Sequence, residues 1–236
     1  MRNNEQPTER RVKSNQLQYV KVWRSIQGEG PFSGVPAVFV RLAGCNLQCQ
    51  FCDTDYTSGR QSASPNELLT MVNQLVPPDF SSTLVVITGG EPFRQTLRPF
   101  VQLLLQAEHT VQIETNGTLY EDLGWSVEEP LFVVCSPKTP YVNSDLVPHI
   151  YAWKYVLEAD YIDENDGLPT RVLGGTLFQT PIARPGSETS PSEIYVQPLD
   201  VHDPVQNKRH AQATAEVALR HHYRLGFQMH KLFDLE

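Results

Sequence analysis

Cysteine is scarce in this chain, with four among 236 residues. That is too few for a disulfide scaffold, and a core of this length needs none. Long apolar runs are missing as well: none approaches the ~18–20 residues of a membrane span. Met1 to Gln16 is polar and mixed in charge. It has no apolar stretch of the kind a secretory leader carries, so residues 1–18 are expected to form a disordered extension and the protein to be cytoplasmic. Positive charge is in deficit, 19 Lys and Arg against 27 Asp and Glu, a net of −8. That balance argues against nucleic acid or an anionic membrane as a general partner, and leaves room for a small basic pocket. Internal repeats and low-complexity tracts are also lacking. What remains is an ordinary foldable composition, 40 % hydrophobic and 19 % charged.

Residues 19–236 read as one domain. Tyr19 to Trp23 alternates as a short strand, and Ser25 to Pro31 follows as a Gly-rich loop. Pro36 to Ala43 is a nearly uninterrupted apolar strand, as expected when both faces are buried. Ser64 to Val76 is predicted helical, with Ser64 as cap, Pro65 at the first position and Glu67 at the third. A pattern then recurs: Leu84 to Ile87, Val111 to Ile113, Leu131 to Val134, Tyr151 to Leu157 and Ile194 to Val196 are short apolar runs. Each ends in a polar or Gly-rich motif. Phe93 to Ala107 has helical spacing, and Gln206 to His222 is predicted helical with Ala211, Ala215 and Ala218 on one face. Asp160 to Ser192, rich in Asp, Gly, Pro and Thr, reads as a long irregular excursion. Buried strands that exit into polar motifs imply an α/β fold with a parallel sheet and ligands at the strands' carboxyl ends. About six strands are too few for a closed eight-fold barrel, so an incomplete, open parallel β/α barrel is expected.

Three of the four cysteines fall in Cys45-x3-Cys49-x2-Cys52. Thiolates on one compact loop are soft ligands, suited to zinc or to an iron–sulfur cluster. Three thiolates leave one iron of a four-iron cluster open to an added ligand. Structural zinc with a histidine as fourth donor, or free thiols, are the other readings. Cys135 lies apart and reads as a small buried residue.

The order of motifs resembles the radical S-adenosylmethionine (SAM) superfamily: CxxxCxxC after the first barrel strand, with Phe51 before the last cysteine, then Thr88-Gly89-Gly90-Glu91-Pro92 after the second. The resemblance implies an incomplete barrel of the radical SAM type and a [4Fe-4S] cluster on Cys45, Cys49 and Cys52. SAM would chelate the open iron and meet Phe51, Cys52, Asp53 and Gly90. Glycines at 89 and 90 would let backbone approach it closely, and a backbone carbonyl or Glu91 could accept from its ammonium.

A narrower resemblance covers residues 19 to 232. SIQGEGPFSGVPAVFVRLAGCNLQCQFCDT at 25–54, IETNG at 113–117, CSPK at 135–138, WKYVLEAD at 153–160, DGLP at 166–169, VQPLD at 196–200 and QMHK at 228–231 are similar to the 7-carboxy-7-deazaguanine synthase (QueE) family. That family converts 6-carboxy-5,6,7,8-tetrahydropterin to 7-carboxy-7-deazaguanine and ammonia, a lyase step of 7-deazapurine and queuosine biosynthesis. It uses a 5′-deoxyadenosyl radical made at the cluster. The resemblance implies that Ile26, Gln27, Gly28, Arg41, Thr88 and His230 bind substrate. It places SAM also against Ser136, Pro137, Lys138, Gln197, Pro198, Leu199 and Asp200, and Mg2+ on Thr54. Arg41 fits independently: a guanidinium in an apolar strand needs an anion, and a substrate carboxylate offers bidentate geometry. The resemblance further implies a homodimer and a flavodoxin- or ferredoxin-type electron donor.

Two rivals remain at this level. A glycyl-radical activase shares CxxxCxxC but needs a docking surface for a partner protein, and leaves the Gln27-to-Arg41 segment unexplained. A non-catalytic module would hold zinc and collapse on chelation.

Overall fold

A computed structural model describes residues 6–49, 52–126, 128–171 and 181–235. The core is a nine-stranded sheet: β1 (Leu17–Ile26), β2 (Pro36–Leu42), β3 (Gln61–Ala63), β4 (Leu84–Gly89), β5 (Thr110–Thr115), β6 (Leu131–Cys135), β7 (Ile150–Leu157), β8 (Ile194–Pro198) and β9 (Arg224–Leu225). The spatial order is β3-β1-β2-β4-β5-β6-β7-β8-β9. From β2 onward all neighbours run parallel, while β1 pairs antiparallel with both β2 and β3. The sheet is therefore an open, incomplete barrel. The expected strands are present and mostly longer, and β3 and β9 extend the sheet at its two edges.

Alternation sorts the side chains of each strand. On β2, Val38, Val40 and Leu42 join the main core, with Val85 and Ile87 of β4, Val111 and Ile113 of β5, and Val133 of β6. That face is covered by α1 (Pro65–Leu75) and α2 (Arg98–Gln106). α1 starts as predicted: the Glu67 amide donates to the Ser64 hydroxyl, and the Ser64 amide donates to the Glu67 carboxylate at 2.7 Å. The segment from Phe93 is not one helix. Glu91 caps a single 3-10 turn at Pro92–Arg94, and α2 begins only at Arg98. Farther along, Trp153, Tyr155 and Leu157 of β7 and Ile194 and Val196 of β8 pack against Val217 and Ala218 of α3 (Pro204–His221). The buried positions of α3 are His210, Thr214, Val217 and Ala218, so of the three predicted alanines only Ala218 is buried. His210 sits inside because its Nδ1 accepts the Ala159 amide at 3.0 Å. One last turn, α4 (Met229–Leu232), ends the fold.

Residues 6–18 depart from the expected disordered extension. Thr8 bridges to Cys45, the Glu9 amide donates to the Cys45 carbonyl, and the Val12 amide donates to the Arg94 carbonyl. Hydrogen bonds and ion pairs hold this arm, which has few apolar side chains to reveal it in the sequence. In the Asp160–Ser192 excursion, the described residues form turns, an isolated bridge between Ile162 and Pro169, and a 3-10 turn at Pro191–Glu193.

Candidate active site

Parallel strands deliver their carboxyl ends to one rim. β2 leads into Gly44 and Cys45, β4 into Gly90, β5 into Asn116, β6 into Ser136 and β8 into Leu199. The cysteine loop is seated on its neighbours by backbone contact. The Gly90 amide donates to the Leu42 carbonyl at 3.3 Å, and the Glu91 amide to the Gly44 carbonyl at 3.0 Å. A Cβ on Gly90 would lie 2.0 Å from the Gly44 oxygen, and one on Gly89, whose φ is +129°, would lie 2.2 Å from the Leu42 oxygen. The glycine pair is thus required by this strand-to-loop contact.

Glu91 differs from the expectation of a ligand acceptor. Its side chain is fully buried and accepts from the Thr115 hydroxyl (2.8 Å), the Asn116 amide (2.8 Å) and the Phe93 amide (3.0 Å). Burial pushes its pKa up to about 7, although those donors pull the other way. Its carboxyl group ties the β4 turn to the β5 turn. Asn116 continues the chain, donating to the Asn46 side-chain oxygen at 3.1 Å, while Asn46 donates to Thr118 at 2.8 Å. Three loops of the rim are thereby fixed to one another.

Cys45 is buried, and Cys49 and Cys52 are partly so. Burial pushes the Cys45 thiol up to about 12, with Cys49 and Cys52 near enough to raise it further. Burial also raises Cys49, while the Lys138 ammonium lowers it. The three thiols are near enough to sense one another, but among the described residues no three His, Cys, Asp or Glu side chains converge as a ready-made metal site. Burial makes a thiol a poor thiolate, and a polynuclear cation would reverse that. Phe51 lies outside the described residues. Cys135 is fully buried at the end of β6, where a Cβ on Gly117 would come 2.6 Å from its sulfur; it takes no part in the loop.

Lys138 donates to the Ser136 hydroxyl at 2.6 Å, and burial lowers its pKa. The Leu199 amide is held by the Leu157 carbonyl at 2.9 Å. The Gln197 side chain is buried, and its Oε1 has no donor among the described residues. An orphaned buried acceptor is costly and marks a place for a ligand donor. Asp200 is already engaged: its Oδ1 accepts from the His202 amide and Asn207, and its Oδ2 lies 3.1 Å from Lys231. These contacts hold its carboxyl near pH 2 against burial. Lys231 also lies 3.6 Å from Asp53. The Thr54 hydroxyl lies 3.4 Å from an Asp53 oxygen.

The inner face of the sheet carries a polar floor. Arg41 lies level with Thr88 on β4, its guanidinium 4.8 Å from the Trp23 ring centre. The Thr88 hydroxyl donates to Glu114 Oε2 at 3.0 Å. Glu114 Oε1 accepts from Gln27 at 3.1 Å and from Gln112 at 3.0 Å. The other end of the Gln27 amide accepts the Glu29 backbone amide at 3.1 Å. Ile26 ends β1, directly before this turn. The Lys154 ammonium lies 2.5 Å from Glu29 and 3.7 Å from Glu114. Burial would push Glu29 up, yet the lysine holds its carboxyl down at about 2. The C-terminal QMHK closes over the same turn. Gln228 donates to Glu29 at 2.9 Å, the Met229 amide to the Gly28 carbonyl at 3.1 Å, and His230 packs so closely on Gly28 that a Cβ there would meet its Nδ1 at 2.5 Å. Glu29, Glu114, Lys154 and Gln228 escape the motif reading. For Glu114 and Lys154 the available signal is the one that singles out Arg41, a charge within an otherwise apolar strand; Glu29 and Gln228 lie outside the strands and carry no such signal.

Residues 40–130 match the model of the radical SAM superfamily. A 7-carboxy-7-deazaguanine synthase of Rhodospirillum rubrum is 44 % identical over 226 residues, covering 91 % of each chain. The chain belongs to the 7-carboxy-7-deazaguanine synthase family. The synthase of Rickettsia prowazekii is 35 % identical, covering 93 % of this chain and 89 % of that one. The crystal structure of QueE from Escherichia coli superposes with a TM-score of 0.64 at 24 % identity, covering 90 % and 94 % of the two chains, which supports the fold. Membership selects the radical SAM reading, with its [4Fe-4S] cluster and SAM, over the zinc module and the activase. No helix among the described residues is long and apolar enough to cross a membrane.

Proposed function

We propose that this chain converts 6-carboxy-5,6,7,8-tetrahydropterin to 7-carboxy-7-deazaguanine and ammonia, with the cluster on Cys45, Cys49 and Cys52. The observation that carries the reading is the juxtaposition of a three-thiol loop with a polar, buried floor at one rim of the barrel. When bound, the cluster and SAM supply the one-electron chemistry. The protein's share is to bind, orient and exclude water.

SAM would lie between the Asp53 and Gly90 loops, Ser136-Pro137-Lys138 and Gln197 to Asp200. The orphaned Gln197 Oε1 can accept an N–H or O–H donor, and Lys138 can meet a carboxylate. The pterin would lie on the floor formed by Gln27, Gly28, Thr88 and Glu114. A carboxylate accepts from the N–H pair of an aminopyrimidinone edge, and the Gln112 Oε1, buried without a donor among the described residues, offers a further acceptor. Arg41 would pair with the substrate carboxylate, and His230 would close the site beside Gly28. Thr54 would give Mg2+ one hydroxyl ligand, the carboxylate and waters completing the set. We place the reaction in the cytoplasm, in a homodimer served by a flavodoxin- or ferredoxin-type donor, with no nucleic acid or membrane as partner.

The test is an anaerobic assay with reconstituted iron and sulfide, SAM, reductant, Mg2+ and the pterin, read by mass spectrometry. A product lighter by one ammonia is expected. Cleavage of SAM with the pterin intact would remove the substrate assignment, and failure to form a cluster would remove the cofactor assignment.

A further inference from the structure

We infer that the N-terminal arm, residues 6–12, is a positioning element for the cysteine loop. It holds both ends of that loop and so limits how far the loop opens around its three thiols. The inference rests on the cluster assignment above for its purpose, and on the arm's own contacts for its geometry.

The arm reaches the loop twice. On the side where the chain enters it, Thr8 bridges to Cys45 and the Glu9 amide donates to the Cys45 carbonyl at 2.7 Å. On the side where the chain leaves, the Gln6 side chain donates to the Thr54 carbonyl at 3.0 Å. It also accepts from the Tyr56 amide at 3.0 Å and from the Thr57 hydroxyl at 3.1 Å. One side chain and one backbone amide, three residues apart, therefore clasp residues 45 and 54–57. Inside the loop, the described backbone makes few such bonds: the Cys52 amide donates to the Cys49 carbonyl at 3.2 Å, and the Leu47 amide approaches the Cys45 sulfur at 3.5 Å.

The arm is itself anchored by charge. Glu9 pairs with Arg60 and lies 3.3 Å from Arg94, whose side chain is fully buried. Arg94 donates to the Ala43 carbonyl at 3.0 Å and to the Arg10 carbonyl at 2.9 Å, and it fills the space beside Gly44, where a Cβ would meet it at 2.5 Å. The segment just before Cys45 is thus packed on an arginine that Glu9 neutralises. Removing the arm would leave that guanidinium without its carboxylate, and the cysteine loop held by the Gly44 amide on the Tyr56 carbonyl at 2.9 Å and by Asn46 on Thr118 and Asn116. A ligand loop fixed at both ends gives up less conformational entropy on binding its cluster, and opens less often to solvent.

The experiment compares the wild type with Gln6→Ala, Gln6→Glu and a chain lacking residues 2–12. Metal-free protein is treated with iodoacetamide, and labelling of each cysteine is followed by peptide mass spectrometry. Cys135, fully buried at the end of β6 and outside the loop, reports whether the rest of the fold has opened. Labelling of Cys45, Cys49 and Cys52 is expected to quicken about tenfold on deletion and about threefold in Gln6→Ala, with Cys135 unchanged. Gln6→Glu keeps the acceptor for Tyr56 and Thr57 but loses the donor to Thr54, so it should fall between Gln6→Ala and wild type. In reconstituted protein the same order is expected in the rate at which cluster absorbance bleaches under a chelator. Equal labelling in all chains overturns the inference. So does faster labelling that includes Cys135, because the arm would then support the whole fold rather than the loop. Should no cluster form in wild type, the cofactor assignment falls, while the labelling still decides whether the arm closes the loop.

Discussion

The Lys154 ammonium stands 2.5 Å from the Glu29 carboxylate, with Glu114 3.7 Å away, and this one lysine serves both acids across the floor of the site. Burial pushes Lys154 down, but the two carboxylates more than offset it and hold the ammonium above its usual range. Replacing it by methionine removes the ammonium that the two acids share. Breaking a buried pair from one side costs about 3–5 kcal/mol. Lys154→Met is therefore expected to lower the midpoint of urea unfolding markedly at pH 7 and to impair pterin turnover. An unchanged midpoint would show that water already screens the pair.

The same pair sets an acid limit. Glu29 titrates at about 2 in the fold instead of 4.5, a depressed value. Its contribution is complete above pH 4.5 and fades as pH falls from there toward 2. At about 1.4 kcal/mol per pH unit this amounts to roughly 3 kcal/mol. Unfolding free energy followed from pH 5 to 2.5 should drop more steeply in wild type than in Glu29→Gln. Parallel curves would locate the acid sensitivity elsewhere, Asp200 being the next group, since it too is held at about 2.

Gly90→Ala tests the contact that seats the cysteine loop. The added methyl would sit 2.0 Å from the Gly44 oxygen and 2.9 Å from Cys45 Cβ, and backbone cannot swing aside as a side chain can. Overpacking of this kind costs about 1–3 kcal/mol. The strain falls on Cys45, the first thiol of the proposed cluster site, so iron bound per chain after reconstitution should drop more than the helical signal in circular dichroism. Full iron content would show that the loop absorbs the shift.

Much of this architecture is legible before any coordinates. The Ser64–Glu67 cap follows from local chemistry, and so do the apolar strands that end in Gly90 or Ser136. Arg41 stands out because a guanidinium is out of place among valines. The same argument extends to Glu114 in VQIET and Lys154 in YAWKYVL, which a motif-by-motif reading passes over. β3 and β9 leave no signal, since strands of three and two residues are too short to show a period. The arm at 6–12 is invisible for a different reason: Gln6 and Glu9 act through hydrogen bonds and ion pairs to residues some 50 positions away, and polar contacts of that range leave no pattern. Glu91 is legible as part of a motif, but its role inverts, because only the fold shows that Thr115, Asn116 and Phe93 already claim its oxygens.

Cys49→Ala and Cys135→Ala should separate cluster chemistry from packing. Cys49 is partly exposed on the loop, and its loss should abolish SAM cleavage with little change in thermal stability. Cys135 is fully buried beside Gly117, so alanine there removes a sulfur from the core. A cost of about 1–2 kcal/mol is expected, with the cluster spectrum intact. SAM cleavage by Cys49→Ala, or a missing cluster in Cys135→Ala, would reverse the two assignments.

Arg41 offers the sharpest test of how the substrate is held. It lies level with Thr88 on the inner face, its guanidinium against Trp23. If its fork meets the substrate carboxylate, removal costs a charge-assisted contact of about 1.5–3 kcal/mol, roughly 10- to 100-fold in affinity. Arg41→Ala should raise the KM for the pterin by that factor and leave the Kd for SAM nearly unchanged. Arg41→Lys keeps the charge but loses the planar two-pronged donor, so it should recover only part of the loss. Equal weakening toward pterin and SAM would make Arg41 a structural residue, held by Trp23 and its neighbours rather than by the ligand.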